Sequence, residues 1–366
     1  MTLGNTVVVA NPQNRNIVVS DTQLSSEKLP IATAGQRRFS SQADSARHGF
    51  PAAINRLDAL KNSSNCIMTM TTPLLEDAFH TDVLPALPHS AITLLQLSQN
   101  PNSGPVEFAK PIEADPGLMG QVLKFVNSSY FGFSREIMSV QQGLTLVGTR
   151  AVTNFALWNA VFSVMPNPKF GPFDLKSLWQ DSLRRALFAR ELGRSMRLNN
   201  AEDLFAGALL QDMAIPLLLK ELPEQYEILV TRRAKEGRRL SGLEKELFGW
   251  DHADASAMLA QQWNLPDEFV TLIARHTKLE ELLEGGSEDH GSACVALASL
   301  LPACTDEGWD EYEMFTNGYS KLTQNPLAEL QAAFEKVDTD TMEFAPILRL
   351  PLPKRTLVEY LQIDTP

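Results

Sequence analysis

Amphipathic segments of helical length follow one another from Leu84 onward, and most are framed by residues that start and stop helices. Asp115 can accept amide hydrogens of a first helical turn, and the following Pro116 suits the first helical position. Ser139 opens another segment, which Gly148 ends. No sustained alternation of apolar and polar residues, as in a half-buried strand, interrupts them. The pattern therefore predicts an all-α body.

The same local chemistry predicts further helix starts and one irregular stretch. Starts are expected at Asp174, Asn200, Ser241, Asp251 and Pro266. Ser241 with Glu244 three residues later matches a capping box, in which each side chain caps the other residue's amide. Near the end of the sequence, prolines predict an irregular strap before a short helix at Leu357 to Leu361. These prolines are Pro346, Pro351 and Pro353.

Composition and charge divide the chain into three predicted regions. Residues 1–75 mix Asn, Ser, Thr and Gln without a helical period, which predicts a poorly ordered N-terminal arm that also holds any β structure. Residues 76–278 carry the amphipathic segments and form the predicted main domain. Residues 279–366 hold 5 basic and 17 acidic residues but keep apolar clusters at helical spacing, so we expect an acidic helical C-terminal extension there.

Composition also argues against several classes of protein. No run of about 18 apolar residues occurs, and the N-terminus lacks the basic-then-apolar order of a secretory signal. Cys66, Cys294 and Cys304 are far apart with no CxxC pair, which argues against a disulfide framework or a cysteine zinc site. The formal net charge of −12 disfavours nucleic acid as a partner. We expect a cytoplasmic protein that binds neither nucleic acid nor membrane.

One dense basic run stands apart from this acidic background, and two interpretations of it are open. It comprises Arg232, Arg233, Lys235, Arg238 and Arg239. Such a run can bind a ligand that carries phosphate, or it can be the solvated end of a helix.

The motifs between Leu84 and His276 resemble those of the HDOD family in their order and spacing, over about half of the chain. They are Leu84-Pro85-Ala86-Leu87-Pro88, Ala114-Asp115-Pro116-Gly117-Leu118, Val126-Asn127-Ser128-Ser129-Tyr130-Phe131-Gly132, Ser139-Val140-Gln141-Gln142-Gly143-Leu144, Leu146-Val147-Gly148, Phe205-Ala206-Gly207-Ala208-Leu209-Leu210-Gln211-Asp212, Asp251-His252, Trp263-Asn264-Leu265-Pro266 and His276. Each motif is weak alone, whereas their joint order is specific. The resemblance implies a multi-helix bundle similar to that of the HD and HD-GYP phosphohydrolases.

The resemblance also implies where a metal centre would lie, and the sequence departs from that pattern. In HD enzymes, histidines and aspartates from several helices hold the metal. Here the His-Asp pair appears as Gln211-Asp212, and a neutral amide is a poorer transition-metal ligand than imidazole. The other matching positions fall on Gln180 or Asp181, His252, His276 and the neighbourhood of Ser299.

Each retained position also has an ordinary structural interpretation. Asp212 can be a buried carboxylate that accepts bonds from neighbouring helix ends. His252 can contact solvent or a nearby carboxylate. His276, at the end of a predicted helix, can serve as a cap, where a cation is favoured by the helix dipole.

We therefore predict a non-enzymatic, regulatory signal-transduction protein, a pseudoenzyme that offers a helical binding platform. The vestigial site comprises Asp181, Gln211, Asp212, His252 and His276, and we expect no metal, no cofactor and no catalytic residue. The expected partner is a protein of a bacterial signalling pathway, with response-regulator or cyclic-dinucleotide components as candidates. The alternative is a residual metal-dependent phosphohydrolase or phosphodiesterase of the HD superfamily.

Overall fold

The computed structural model describes residues 7–10, 17–20, 74–78, 84–171, 173–324 and 327–363. The chain divides into two compact units, Met1–Pro73 and Leu74–Pro366. In the first unit, strands β1 (Val7–Ala10) and β2 (Ile17–Ser20) pair in an antiparallel register. These strands lie in the segment to which the sequence assigned any β structure. The rest of the predicted arm, including Cys66, lies outside the described residues.

Within the described part of the second unit, every regular element is a helix, as predicted. The first half comprises α1 (Leu75–Ala78), α2 (His89–Ser98), α3 (Pro105–Glu113), α4 (Pro116–Val126), a 3-10 turn (Ser129–Phe131), α5 (Val140–Val147), α6 (Thr149–Val164), α7 (Leu175–Ser195) and α8 (Ala201–Leu210).

The second half continues with helices that are mostly shorter. They are α9 (Ile215–Glu221), α10 (Pro223–Glu236), α11 (Leu240–Phe248), α12 (His252–Gln262), α13 (Asp267–Arg275), α14 (Leu279–Glu284), a 3-10 turn (Ser287–Asp289), α15 (His290–Ala298), α16 (Tyr312–Thr323), α17 (Leu327–Ile347) and α18 (Leu357–Ile363).

Several helices begin where the sequence predicts, because the cap is a local interaction. The Asp115 carboxylate accepts the amide hydrogens of Gly117 and Leu118 at the start of α4. The Ser139 and Asp174 side chains likewise cap α5 and α7. These side chains satisfy amides that no carbonyl within the helix can reach.

Two local predictions are wrong. The capping box at Ser241 and Glu244 does not form, because α11 already begins at Leu240 and the Glu244 side chain is buried. Pro346 does not lie in an irregular strap, since α17 continues through it to Ile347. A proline in the last turn removes a hydrogen bond near the end of the helix, where few later residues depend on it.

Helix α7 lies at the centre of the second unit and packs against α8, α15 and α17. Phe188 of α7 meets Phe315 of α16 at 5.5 Å and Phe334 of α17 at 5.6 Å between ring centroids. All three rings are fully buried, and each contributes roughly 1.5–3 kcal/mol of burial free energy. Residues beyond 278 therefore share a core with the helices before them. The predicted division of the chain at residues 75 and 278 stays a prediction.

Among the helices of the described residues, none combines the length and the apolar character needed to cross a bilayer.

Candidate functional site

A cavity of about 460 Å³ is lined by residues of α7 and of α9 to α12, and by the segments that follow α8, α10, α13 and α15. Its lining includes Asp181, Arg185, Gln211, Asp212, His252, His276 and Ser299. Most of the predicted site positions thus come together at one place.

Asp212, just after the end of α8, is the centre of this arrangement. Its Oδ1 lies 3.5 Å from Nε2 of His252 and 3.5 Å from Nε2 of His276. Its Oδ2 accepts hydrogen bonds from Arg185 Nη1 at 2.5 Å and from Gln211 Nε2 at 3.1 Å. The donors to this carboxylate are therefore side chains of the site, and not the neighbouring helix ends that the sequence suggested.

The charges around Asp212 keep it ionised. Burial alone would raise the pKa of this carboxyl group, but the Arg185 guanidinium, His276 and His252 together outweigh burial. The pKa of Asp212 therefore lies well below its ordinary value of 3.8. At neutral pH the site holds a carboxylate that already has a cationic partner.

His252 is held from its other side by a second buried carboxylate. Its Nδ1 lies 2.6 Å from Oε2 of Glu244, which also accepts the His252 backbone amide hydrogen at 2.9 Å. The other oxygen of Glu244 accepts the hydroxyl hydrogen of Tyr226 at 2.7 Å. Burial opposes protonation of His252, but Glu244, Asp212 and Asp251 outweigh it and raise the pKa of His252 to about 9. The imidazole is therefore protonated at neutral pH.

His276 ends helix α13 and has two different environments at its two ring nitrogens. Its Nδ1 lies 2.7 Å from the carbonyl oxygen of Ile273, so it donates a hydrogen bond to the last turn of the helix. This is the capping contact that the sequence suggested. Its Nε2 faces Asp212 and has no hydrogen-bond partner, although it is fully buried.

Two other predicted positions lie in or beside the cavity without joining this centre. Asp181 is buried, and its Oδ1 accepts the backbone amide hydrogen of Cys304 at 2.7 Å. Burial raises the pKa of Asp181. Gln180, the other candidate for this position, is also buried, but it is not among the cavity-lining residues. Ser299 bonds to the carbonyl oxygen of His276 at 2.9 Å and accepts a hydrogen bond from Arg239.

The basic run does not form one patch. Arg232 and Arg238 make ion pairs with Glu236 and Glu246 on the surface. Arg233 and Arg239 instead line the cavity, where Arg233 pairs with Asp306 at 3.4 Å. Burial lowers the pKa of Arg239. Lys235 is exposed and does not line this cavity.

Sequence reasoning missed two residues of the site, Arg185 and Glu244. Arg185 lies one turn after Asp181 in a helix segment with Leu183 and Leu187, so a charge among core positions was the available signal. Glu244 precedes His252 by eight residues, and no local pattern links them. The capping-box pattern of Ser241 and Glu244 pointed instead to a role of Glu244 at the helix start, and not to its contact with His252.

In this helical bundle, an aspartate that follows α8 and two histidines, at the start of α12 and after α13, meet in one cavity, as the resemblance to HD-type proteins implies. The sequence profile of the HDOD domain matches residues 84–279, and this chain belongs to the HDOD family. The family is related to the HD phosphohydrolases.

Among curated proteins, the chain is similar to one of Treponema pallidum (strain Nichols) described as uncharacterized. The two are 27% identical over 217 residues, which is 58% of this chain and 41% of the relative. The chain thus matches less than half the length of that relative.

Two solved structures share the fold. A protein of Shewanella amazonensis SB2B, predicted to be a phosphohydrolase, is 22% identical, with a TM-score of 0.57, over 73% of this chain and 96% of that one. An HDOD domain protein of unknown function from Geobacter sulfurreducens is 19% identical, with a TM-score of 0.55, over 71% and 93%. At these identities the likeness concerns the fold alone.

Proposed function

We propose that this HDOD protein is a non-enzymatic, cytoplasmic regulatory protein whose HD-type site has become a structural element of a binding platform. One observation carries the proposal: the Arg185 guanidinium lies on Oδ2 of Asp212, the central carboxylate of the site. A fixed cation thereby supplies the positive charge that a metal ion supplies to such a carboxylate in a hydrolase.

The donor set fits a hydrolytic metal centre poorly. Oδ1 of Asp212 and ligand atoms of His252 and His276 lie within 4.8 Å of one another, so three donors converge. However, the neighbouring carboxylates raise the pKa of His252 to about 9, so a metal ion would have to displace a proton from this imidazole. Gln211 contributes an amide in place of imidazole, and the Asp181 carboxylate is engaged with the backbone of Cys304. A divalent cation would also have to approach Arg185.

One observation favours the alternative, a residual phosphohydrolase. Both histidines have Nδ1 fixed by an acceptor, Glu244 or the Ile273 carbonyl, and both direct Nε2 towards Asp212. Metal-ligating histidines are usually oriented by such contacts. We interpret them here as inherited contacts that now order the protein interior.

Metal content and turnover of the full-length protein test the proposal together. Purified protein is incubated with Mn²⁺, Mg²⁺, Fe²⁺ or Zn²⁺, desalted and analysed for metal, and hydrolysis of bis-p-nitrophenyl phosphate is followed in parallel. We expect less than about 0.1 ion per chain and no turnover above buffer. One ion per chain with turnover that Asp212→Ala abolishes would overturn the proposal.

Two double variants test whether Arg185 and Gln211 are the reason that the site does not retain a divalent metal ion. Arg185→Met with Gln211→His removes the resident cation and restores an imidazole, so we expect this double variant to retain more divalent metal than the wild type. Arg238→Met with Gln211→His is the matched control, because Arg238 lies on the surface, 46% exposed. If the two double variants retained equal amounts of metal, Arg185 would not be what prevents metal binding.

The regulatory half of the proposal concerns partners. We propose that the helical surface binds a protein of a bacterial signalling pathway, with response-regulator or cyclic-dinucleotide components as candidates. Ligand binding would act by favouring one helix packing over another. Capture of a partner by the full-length chain from host extract, confirmed with the two purified proteins, is the expected result. Failure to capture any partner, combined with metal-dependent turnover, would refute the proposed regulatory role.

A further inference from the structure

A second cavity, of about 640 Å³, lies away from the Asp212 site and is bordered by α2, α3, α6, α8 and α13. Helix α8 connects the two places, since Asp203 in its first turn lines this cavity and Asp212 follows its end. Asp203 and Asp212 are nine positions apart, most of them in α8, which corresponds to roughly 13 Å along the helix axis. The volume is in the range of small-molecule pockets.

Asp203 contributes a buried carboxylate oxygen that has no partner. The residue is only 2% exposed. Its Oδ1 accepts a bond from Arg150 Nε at 2.8 Å, whereas Oδ2 is buried without any hydrogen bond. Burying a polar atom in this way costs free energy unless a donor reaches it. The structure therefore contains an acceptor that lacks its donor.

A second buried polar group without a hydrogen-bond partner, the Thr153 hydroxyl, lines the same cavity from another helix. Thr153 of α6 is 7% exposed, and its hydroxyl oxygen is buried without a hydrogen bond. It lines the cavity together with Asp203. Two buried polar atoms that share one cavity and lack partners indicate a place built for a bound group.

The remaining lining defines the kind of group that fits. Three carboxylates line the cavity, those of Asp203, Asp267 and Glu268, against one guanidinium, that of Arg150, which is 57% exposed. Arg150 also reaches Glu268, with a distance of 3.5 Å. The balance is negative and favours a cation. Apolar walls complete the cavity: Leu95, Phe108, Leu157, Leu265 and Phe269.

We propose that this cavity binds an ammonium or guanidinium group carried on an apolar stem, with Oδ2 of Asp203 and the Thr153 hydroxyl as its hydrogen-bond partners. The stem would lie against the apolar walls. The same chemistry has two sources, a free amine or a Lys or Arg side chain of a partner protein. The inference goes beyond the proposed function and does not depend on the Asp212 site.

The affinity of this cavity for a cation should depend on pH, because it depends on the charge of Asp203. Burial raises the pKa of Asp203 to about 6, against the effect of Arg150 and with the help of Glu268 and Glu202. Asp267 also faces the cavity. A cation prefers the ionised carboxylate, so binding should weaken about tenfold between pH 7.5 and pH 5 as Asp203 takes up a proton.

Calorimetric titration of the full-length protein with small probes tests this. The probes are phenethylamine, its uncharged counterpart phenethyl alcohol, N-acetyl-lysine amide and N-acetyl-arginine amide. We expect a cationic probe to bind at least tenfold more tightly than phenethyl alcohol and to weaken at pH 5. Preference for phenethylamine assigns a free amine, and preference for the acetylated residues assigns a partner's side chain. Failure of every cation to exceed the alcohol overturns the proposal.

Variants locate the binding. Asp203→Asn keeps the shape and removes the charge, so we expect at least tenfold weaker binding of the preferred cation, and Thr153→Val should weaken it less. Glu284→Gln, at an exposed position outside the cavity, is the control and should bind like the wild type. Unchanged affinity in Asp203→Asn would refute the assignment. Should that variant not fold, the comparison of probes and the pH series on the wild type still decide the matter.

Discussion

Arg185→Met removes the guanidinium from the Asp212 site and keeps an apolar stem of similar length. The Arg185 side chain is 16% exposed and that of Asp212 is 4% exposed, so the pair is largely shielded from solvent. Breaking a buried pair by removal of one partner costs about 3–5 kcal/mol, because a charge is left buried and uncompensated. Gln211 and His252 still face the carboxylate, which places the expected loss near the lower end, about 3 kcal/mol.

Urea unfolding at pH 7, followed by circular dichroism, measures this loss against a matched control. Arg238→Met removes an arginine that is 46% exposed and paired with Glu236 and Glu246, and we expect it to cost less than about 1 kcal/mol. With an unfolding entropy of roughly 2.1 cal/mol/K per residue, a loss of about 3 kcal/mol in a protein of this size should lower Tm by about 4–5 °C.

A double variant and the pH dependence of stability also test the contribution of the Arg185–Asp212 pair. Asp212→Asn combined with Arg185→Met should be less destabilised than the sum of the single changes, since neither charge is then left alone. The pKa of Asp212 is held below 3.8, so its stabilisation is present above that pH and is lost as the pH falls below it. The gap between wild type and Arg185→Met should therefore narrow in acid. A loss equal to that of Arg238→Met would refute the account.

Three other perturbations follow, two from the contacts of this site and one from the packing of α8 against α13. The pKa of His252 in the folded protein, about 9, exceeds its ordinary value of 6.5, so protonation contributes stability that is fully present below pH 6.5 and is lost as the pH rises through 9. Thermal scans should show that the free energy of unfolding falls by on the order of 3 kcal/mol over this pH range. In His252→Gln this pH dependence should disappear. Tyr226→Phe should cost about 1–2 kcal/mol in urea unfolding, since Glu244 loses a buried donor; an unchanged midpoint would contradict this. Gly207→Ala should cost about 1–3 kcal/mol, because the new Cβ would meet Leu272 Cδ1 at 2.7 Å; equal stability of this variant and wild type would show that α13 moves without cost.

Much of the helical architecture could be predicted from the sequence because caps and turns are local. Asp115, Ser139 and Asp174 each satisfy amides within three residues, so their positions alone locate helix starts. The capping box at Ser241 and Glu244 failed for the same reason, since a local pattern cannot report that Glu244 is drawn inward by Tyr226 and His252, residues of two other helices.

The site could be predicted only in part. The family motifs located Asp212 and both histidines, and the structure brings them together. The partner of Asp212 was not predictable from spacing, because Arg185 reaches it across the packing of α7 against α8. The cavity at Asp203 was equally hidden, since an acidic residue in the first turn of a helix is ordinarily explained by the helix dipole.

Diffraction from crystals of the full-length protein grown with Mn²⁺, with anomalous data collected for manganese, tests the central claim most directly. The account predicts no anomalous peak between Asp212, His252 and His276, with the Arg185 guanidinium on Asp212. A fully occupied ion coordinated by these three residues, with Arg185 displaced from the carboxylate, would contradict it.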